Sequence, residues 1–438
     1  MNKKKILICG GGSTYTLPLL KTLSEFTDSF PIAEIKLYDI DKSKQEMIYQ
    51  AGKIVLDEVF SGIELSQYYD DAAFKDIDFA FLQIRSGGLS MRAKDEHIPL
   101  SYGCVGQETC GAGGFAYGLR SVKEVLALIG KIRAENPNAW IINYSNPAAI
   151  VAVATNRMFP DDDKIINLCD MPIAMMDGFA QAFNLVRQDL TPRYFGLNHF
   201  GWFTHLYDKD GNDLLPQLKE MLKDKGLMPK ELNQDQGWIE TFEQLGTMVS
   251  DLNGYVPNTY LQYYLYPNQM VKHSDPNYTR ADYVMENRLK QVEKECEYII
   301  RNRTVKGSGL EKGVHGLYIV ELANSLISNK ERTFIAIVRN NGIIPNLPSD
   351  AMVEVPCLVS EHGLEPLHVG EIDVFYKGLL ETQYAYETLT VKAALEEDYD
   401  AALKALVLNR TVVDVEKAKS ILKDLMEANK SYWKLRGN

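Results

Sequence analysis

Several things are scarce in this sequence of 438 residues, and each absence narrows the choices. No run of about 18 apolar residues occurs, so no membrane span is expected. Cations are outnumbered: 47 Lys and Arg stand against 59 Asp and Glu, a formal net charge of -12. That balance argues against a nucleic-acid partner, because no surplus of positive charge exists to neutralise phosphates. A small anion remains possible if a few arginines are focused in one pocket. The six cysteines (Cys9, Cys104, Cys110, Cys169, Cys296 and Cys357) are scattered without disulfide-like spacing, which fits a reducing cytoplasm. Lys3–Lys5 precede an apolar run, but the run is short and ends in glycines without a cleavage site, so no signal peptide is expected. No internal repeat or low-complexity linker is visible.

What is present is a long chain, 45% hydrophobic, with enough apolar residues for two packed domains. Strand patterns at Lys5–Cys9, Glu34–Asp39, Asp78–Ile84, Ala139–Tyr144 and Lys164–Leu168 alternate with helical ones, including Tyr15–Phe26 and Lys42–Val59. Regular alternation of this kind predicts a Rossmann-like, doubly wound, mostly parallel α/β sheet. After about Leu197 the pattern changes. Aromatic residues crowd 200–207 and 255–266, and a charged helix is predicted over Arg280–Arg301. Strands are predicted at Arg332–Val338 and Met352–Val359, and helices return from Tyr376. The expectation is a dinucleotide-binding domain over 1–196 and an α+β domain over 197–438, with a soft boundary within Arg193–His205.

Gly10, Gly11, Gly12, Ser13 and Thr14 lie directly between the first strand and the first helix. Glycines there permit a tight turn and close approach to a pyrophosphate, which meets the free N–H groups of a helix N-terminus. Asp39 at the end of the second strand suits the adenosine ribose hydroxyls and disfavours a 2′-phosphate, so NAD is expected. The third glycine of the usual fingerprint is replaced by Tyr15. An ordinary glycine-rich turn is the alternative at this point.

Cys169 follows an apolar strand and His199 another strand-like segment. A thiolate and an imidazole suit a borderline divalent ion, and two ligands leave positions open for substrate oxygens. A buried free cysteine and a core histidine fit the spacing equally well. Arg92 and Arg280 have the fork geometry for a phosphate, but taken alone each reads more readily as a surface or ion-pair arginine. Asn146, in Asn143–Pro147, can hold sugar hydroxyls or simply open a helix. Glu108 lies in a loop, Gly106–Gly111, that composition alone marks as flexible.

Taken together these segments resemble glycoside hydrolase family 4, the NAD- and metal-dependent glycosidases. The matching pieces are the Gly-Gly-Gly-Ser turn, Met91-Arg92, Val105–Thr109, Asn143–Pro147, Cys169-Asp170-Met171-Pro172, Gly196–His199 and Asn258-Thr259-Tyr260. Met352–Cys357 also fits the pattern, so the resemblance spans nearly the whole chain. The missing third glycine is usual in that family. Cys-Asp-Met-Pro is similar to the 6-phospho-α-glucosidases acting on maltose 6′-phosphate. The 6-phospho-β-glucosidases usually carry Cys-Asn-Val-Pro there, and the α-glucuronidase and α-galactosidase branches a Cys-His pair. The resemblance implies that Cys169 and His199 hold the metal, usually manganese. It implies Asp170 as acid, Tyr260 as base with Tyr263 and Tyr264 as neighbouring candidates, and Glu108 as the group raising the basicity of the tyrosine. Arg92, Asn146 and Arg280 would hold a phosphorylated disaccharide. Ordinary glycosidases use two carboxylates; the implied route here is oxidation at C3, proton loss at C2, elimination at C1, and the reverse steps with water. A cytoplasmic homodimer or homotetramer is expected. The rivals are a 6-phospho-β-glucosidase of the same family, a 2-hydroxy-acid dehydrogenase, and a non-catalytic NAD-binding protein.

Overall fold

A computed structural model describes residues 2–224, 236–310, 314–329, 331–412 and 414–437. Six strands build a parallel core: β1 (Lys4–Cys9), β2 (Ile32–Tyr38), β3 (Glu64–Tyr68), β4 (Phe79–Leu82), β5 (Trp140–Asn143) and β6 (Ile165–Asn167). Their spatial order is β3-β2-β1-β4-β5-β6. The chain therefore reverses its direction of travel between β1 and β4, which opens a crevice at the carboxyl ends of those strands. Ile6, Leu7, Ile8, Phe79, Ala80 and Phe81 are each at most 1% exposed, as strands covered by helices on both faces must be.

The chain then forms a small antiparallel sheet from β7 (Thr191–Leu197), β8 (Phe200–Tyr207) and β9 (Val256–Pro257). The boundary expected within Arg193–His205 falls inside the β7–β8 hairpin. β10 (Arg332–Arg339), β11 (Met352–Ser360) and β12 (Gly363–Pro366) complete the strands. The two strands expected at Arg332–Val338 and Met352–Val359 do form. They join the first sheet rather than a separate one: β10 runs antiparallel beside β6, and β11 and β12 extend it to nine strands.

The helix expected over Arg280–Arg301 forms as one helical run, Arg280–Asn302, that carries a π-turn. A short turn at Arg280–Tyr283 leads through a π-helical turn, Val284–Arg288, into Leu289–Asn302. Helix Gly111–Glu135 is buried along its first half, and its glycines bring it hard against the preceding loop. Helices Val374–Glu396, Tyr399–Leu408 and Val415–Ala428 cover it in a second apolar cluster that includes Phe115, Leu119, Val391, Leu406 and Ile421. Among the described residues no helix is long and apolar enough to cross a membrane.

Candidate active site

The glycine turn leaves β1 at the switch point. Gly10 has φ +94°, and the amides of Gly10 and Gly11 both donate to the Tyr38 carbonyl, at 2.8 and 3.0 Å. A Cβ on Gly11 would overlap the Gln45 side chain and Leu37, so the turn lies flush against β2 and the helix after it. Gly12 N–H donates to Asp39 Oδ2 and Asp41 N–H to Asp39 Oδ1, both at 2.8 Å. Each carboxylate oxygen keeps acceptor capacity for a ribose hydroxyl. Ser13 N–H donates to Gly10 O at 3.0 Å, and Thr14 completes the turn before helix Thr16–Glu25. Glycine cradle, helix terminus and acid fit a dinucleotide at this crevice. Gln83, which the sequence reading did not single out, locks the turn. Its amide donates to Gly10 O at 3.0 Å and Thr16 Oγ1 at 2.7 Å, while Tyr144 donates to its carbonyl at 2.9 Å. Tyr15, in place of the third glycine, carries the Arg288 guanidinium 4.3 Å from its ring centre. The π-turn after Arg280 thus touches the nucleotide turn directly.

Cys169 and His199 meet although 30 residues separate them: Sγ lies 3.2 Å from Nε2. Cys169 is presented just after β6, and Asp170 precedes helix Met171–Ala182. His199 occupies the two-residue turn between β7 and β8 in the left-handed region, φ +62°. Tyr260 stacks flat on the His199 ring, centroids 3.8 Å apart and planes within 4°. It begins helix Leu261–Leu265, anchored where Asn258 N–H donates to Gly201 O at 2.8 Å. Burial lowers the His199 pKa to about 4, against the pull of Asp170 and Glu108, so the imidazole is neutral. Burial, with Asp170 and Glu354, pushes the Cys169 thiol well up. A neutral imidazole beside a thiol is a donor pair that a divalent ion could hold, the thiol losing its proton on binding. Among the described residues no group of three or more His, Cys, Asp or Glu gathers as a closed metal cage. Cys169 and His199 could hold a divalent ion, with its other positions supplied from outside this pair.

A third cluster lies beside these. Glu108 pairs with Arg85 through one oxygen and with Arg92 Nη1 through the other, at 3.2 Å. Burial opposes its ionisation, but the two arginines prevail and hold its carboxyl below the usual range. Arg92 Nε also donates to Glu96 Oε1 at 2.8 Å, and Glu96 Oε2 accepts from the Ala281 amide at 2.7 Å. Arg92 and the Arg280 segment are thereby joined. Arg280 lies over the Tyr283 ring at 4.8 Å, and its charge, like that of Arg92, reaches Tyr263. Asn146 follows β5; its bonds run to Ser121 and Ala148, at 2.9 and 3.3 Å. The Glu108 loop is pinned, contrary to its composition. Gln107 Oε1 accepts from the Thr109 and Cys110 amides at 2.6 and 2.7 Å, and Tyr386 donates to Gly111 O at 3.2 Å. Arg85, one residue past the strand pattern Asp78–Ile84 and outside every motif quoted above, is the cation that the sequence did not mark.

Two family descriptions match this chain: Family 4 glycosyl hydrolase over residues 5–185, and Family 4 glycosyl hydrolase C-terminal domain over residues 194–412. Phospho-alpha-glucosidase PagL of Clostridium acetobutylicum is 52% identical over 441 residues, covering 99% of each chain. Maltose-6'-phosphate glucosidase of Bacillus subtilis is 45% identical, covering 99% of this chain and 98% of that one. The crystal structure of a 6-phospho-alpha-glucosidase from gut microorganisms, in complex with NAD and Mn2+, superposes with a TM-score of 0.96. It is 46% identical and matches over 99% of this chain and 100% of that one. More distant is the 6-phospho-beta-glucosidase BglT of Thermotoga maritima, 33% identical over 98% of this chain and 100% of that one. With both halves matched and relatives this similar over their full length, the chain belongs to the family 4 glycosyl hydrolases.

Proposed function

We propose that this protein hydrolyses 6-phospho-α-glucosides of the maltose 6′-phosphate type to glucose 6-phosphate and an aglycone, with NAD and a divalent metal, Mn2+, as cofactors. The observation that carries the reading is the convergence of the Cys169–His199 pair, stacked Tyr260 and the Arg85–Glu108–Arg92 cluster. A 2-hydroxy-acid dehydrogenase has no use for the Cys–His pair. A mere NAD-binding protein has no use for the arginine cluster either. The α assignment over β is supported by the Cys-Asp-Met-Pro segment and by the higher identity to α-acting relatives.

In this reading the amino-terminal 196 residues seat NAD through Gly10–Thr14 and Asp39. Cys169 at the end of that part and His199 at the start of the rest hold the metal. When bound, NAD accepts and returns a hydride at the sugar C3, and the metal polarises the C3 carbonyl so formed. Arg92, Asn146 and Arg280 hold the phosphosugar, with the guanidinium groups suited to its phosphate. Tyr260 takes the C2 proton. Burial and the neighbouring Cys169 hold its phenol protonated, which suits a base that ionises only with positive charge beside His199. Tyr264 packs against Phe200, Tyr263 lies 5.9 Å from the Tyr260 ring, and it is Tyr260 that stacks on His199, so Tyr260 is preferred among the three. Glu108, kept anionic by its arginines, favours the phenol over the phenolate and so makes Tyr260 more basic once ionised. Asp170, next to Cys169, protonates the departing glycosidic oxygen. We place the enzyme in the cytoplasm as a homodimer or homotetramer. The test is turnover of phosphorylated and unphosphorylated p-nitrophenyl α- and β-glucosides with NAD and Mn2+. Cleavage of the 6-phospho-α compound alone supports the reading, and equal cleavage of unphosphorylated glucosides overturns it.

A further inference from the structure

Glu354 is a buried carboxylate for which the chemistry above has no use. It lies in β11, 1% exposed, with its side chain turned toward the small sheet. Its Oε1 accepts from Asn198 Nδ2 and its Oε2 from the Tyr194 hydroxyl, both at 2.9 Å. Asn258 Nδ2 donates to the same Tyr194 oxygen at 3.3 Å. Asn198 shares the tight turn with His199, and Asn258 stands two residues before Tyr260. One carboxylate from the large sheet thus fastens the turn bearing the imidazole and, through Tyr194, the segment bearing the stacked tyrosine. Both of its bonds come from neutral donors. Each oxygen accepts one of these bonds, but they do not offset a buried negative charge: burial raises the carboxyl pKa to about 7, so its ionised form is favoured when a cation is near. Hydrophobic residues would fill this space at less expense if packing were the only need. The Cys169 thiol feels the Glu354 charge across the same interior, so the carboxylate stands on the protein side of the Cys–His pair.

We propose that Glu354 is a positioning residue of the divalent-cation site: it orients the His199 turn through Asn198 and supplies the buried negative charge that a cation at Cys169 and His199 balances. The inference rests on reading those two residues as the ligands. Groups that orient a metal-binding imidazole in this way commonly change metal affinity by roughly 10- to 100-fold when removed.

The experiment is direct Mn2+ binding to the NAD-loaded protein, followed by the electron paramagnetic resonance signal of free Mn2+. NAD affinity and the thermal midpoint without metal are measured in parallel. Glu354→Gln retains the shape and a bond to Asn198 but removes the charge. It is expected to weaken Mn2+ by roughly 10- to 100-fold while NAD affinity stays at the wild-type value. A purely structural role would instead lower the metal-free midpoint and NAD affinity and leave Mn2+ affinity unchanged in the folded fraction, which overturns the proposal. Should Glu354→Gln fail to fold, Glu354→Asp, which keeps the charge but withdraws the carboxylate from Asn198 by one methylene, decides: weakened Mn2+ binding supports the proposal and wild-type binding rejects it. Cys169→Ser separates the two readings. If it binds Mn2+ like wild type, the ligand assignment itself fails. If it loses Mn2+ while Glu354→Gln keeps it, only the role of Glu354 fails.

Discussion

At the scale of single residues, the site pairs groups that are poor alone and useful together. An imidazole with a pKa lowered to about 4 is a ligand rather than an acid at neutral pH. Cys169→Ser or His199→Ala is therefore expected to abolish Mn2+ binding and turnover while leaving NAD affinity intact, because the nucleotide turn is a separate segment. Titration of NAD by fluorescence and of Mn2+ by calorimetry checks both halves. Arg280 offers the cleaner test of phosphate recognition, since Arg92 is also an internal strut between Glu96 and Glu108. Losing a charge-assisted bond to phosphate costs roughly 1.5–3 kcal/mol. Arg280→Ala should then lower kcat/KM for 6-phospho-α-glucosides by roughly 10- to 150-fold, and an unchanged kcat/KM would remove Arg280 from the phosphate site. Cys169, His199, Glu108 and Arg92 could be singled out as candidates because they sit in short segments that the family resemblance covers; composition and spacing alone left each of them open. Arg85, Gln83 and Glu354 were not, because each acts through a partner tens or hundreds of residues away that no local pattern encodes.

At the scale of elements, the glycine turn is the most constrained piece. Gly10 combines φ +94° with a Cβ position only 2.8 Å from the Gln83 carbonyl oxygen. Gly10→Ala is expected to cost about 1–3 kcal/mol of stability and to weaken NAD, read from urea unfolding and NAD titration. A variant with wild-type stability and NAD affinity would contradict this placement of the turn. Elements with strong local patterns were read well: helix Lys42–Val59 ends where the periodicity predicts. β3 escaped notice because it is a short polar edge strand, Glu64–Tyr68, with little apolar alternation to mark it. The Arg280–Arg301 helix was legible as one run, but its charge pattern carries no record of the π-turn inside it. Ala281 before the turn and Arg288 at its end are held by Glu96 and Tyr15 respectively.

At the scale of the whole molecule, the parallel half of the sheet was predictable from βα alternation, but its extension was not. The pairing of β10 with β6 joins residues about 170 apart, and an antiparallel addition leaves the same local strand signature as a separate sheet. The C-terminal helices that close over Gly111–Glu135 bury Glu387, 1% exposed, with Gln383 donating to it at 2.9 Å. Burial raises its pKa to about 8. Below about pH 4.5 both folded and unfolded states hold this proton. Between there and about pH 8 only the folded state does, so stability falls as pH rises, by up to about 1.4 kcal/mol per unit from this group. Glu387→Gln should therefore gain stability relative to wild type at pH 8 compared with pH 5.5, measured by urea midpoints; an identical difference at both pH values would contradict the assignment. In the function proposed above, an NAD crevice, a cation held by Cys169 and His199, and Tyr260 as base together imply that the glycosidic bond is broken by elimination after oxidation, and that is the central claim. Turnover of maltose 6′-phosphate in D2O, stopped early and read by NMR with a control for exchange of free product, tests it most directly. Deuterium at C2 of the released glucose 6-phosphate is the predicted result, and product retaining only protium at C2, with activity equally high when NAD is replaced by an analogue that cannot accept hydride, would contradict it.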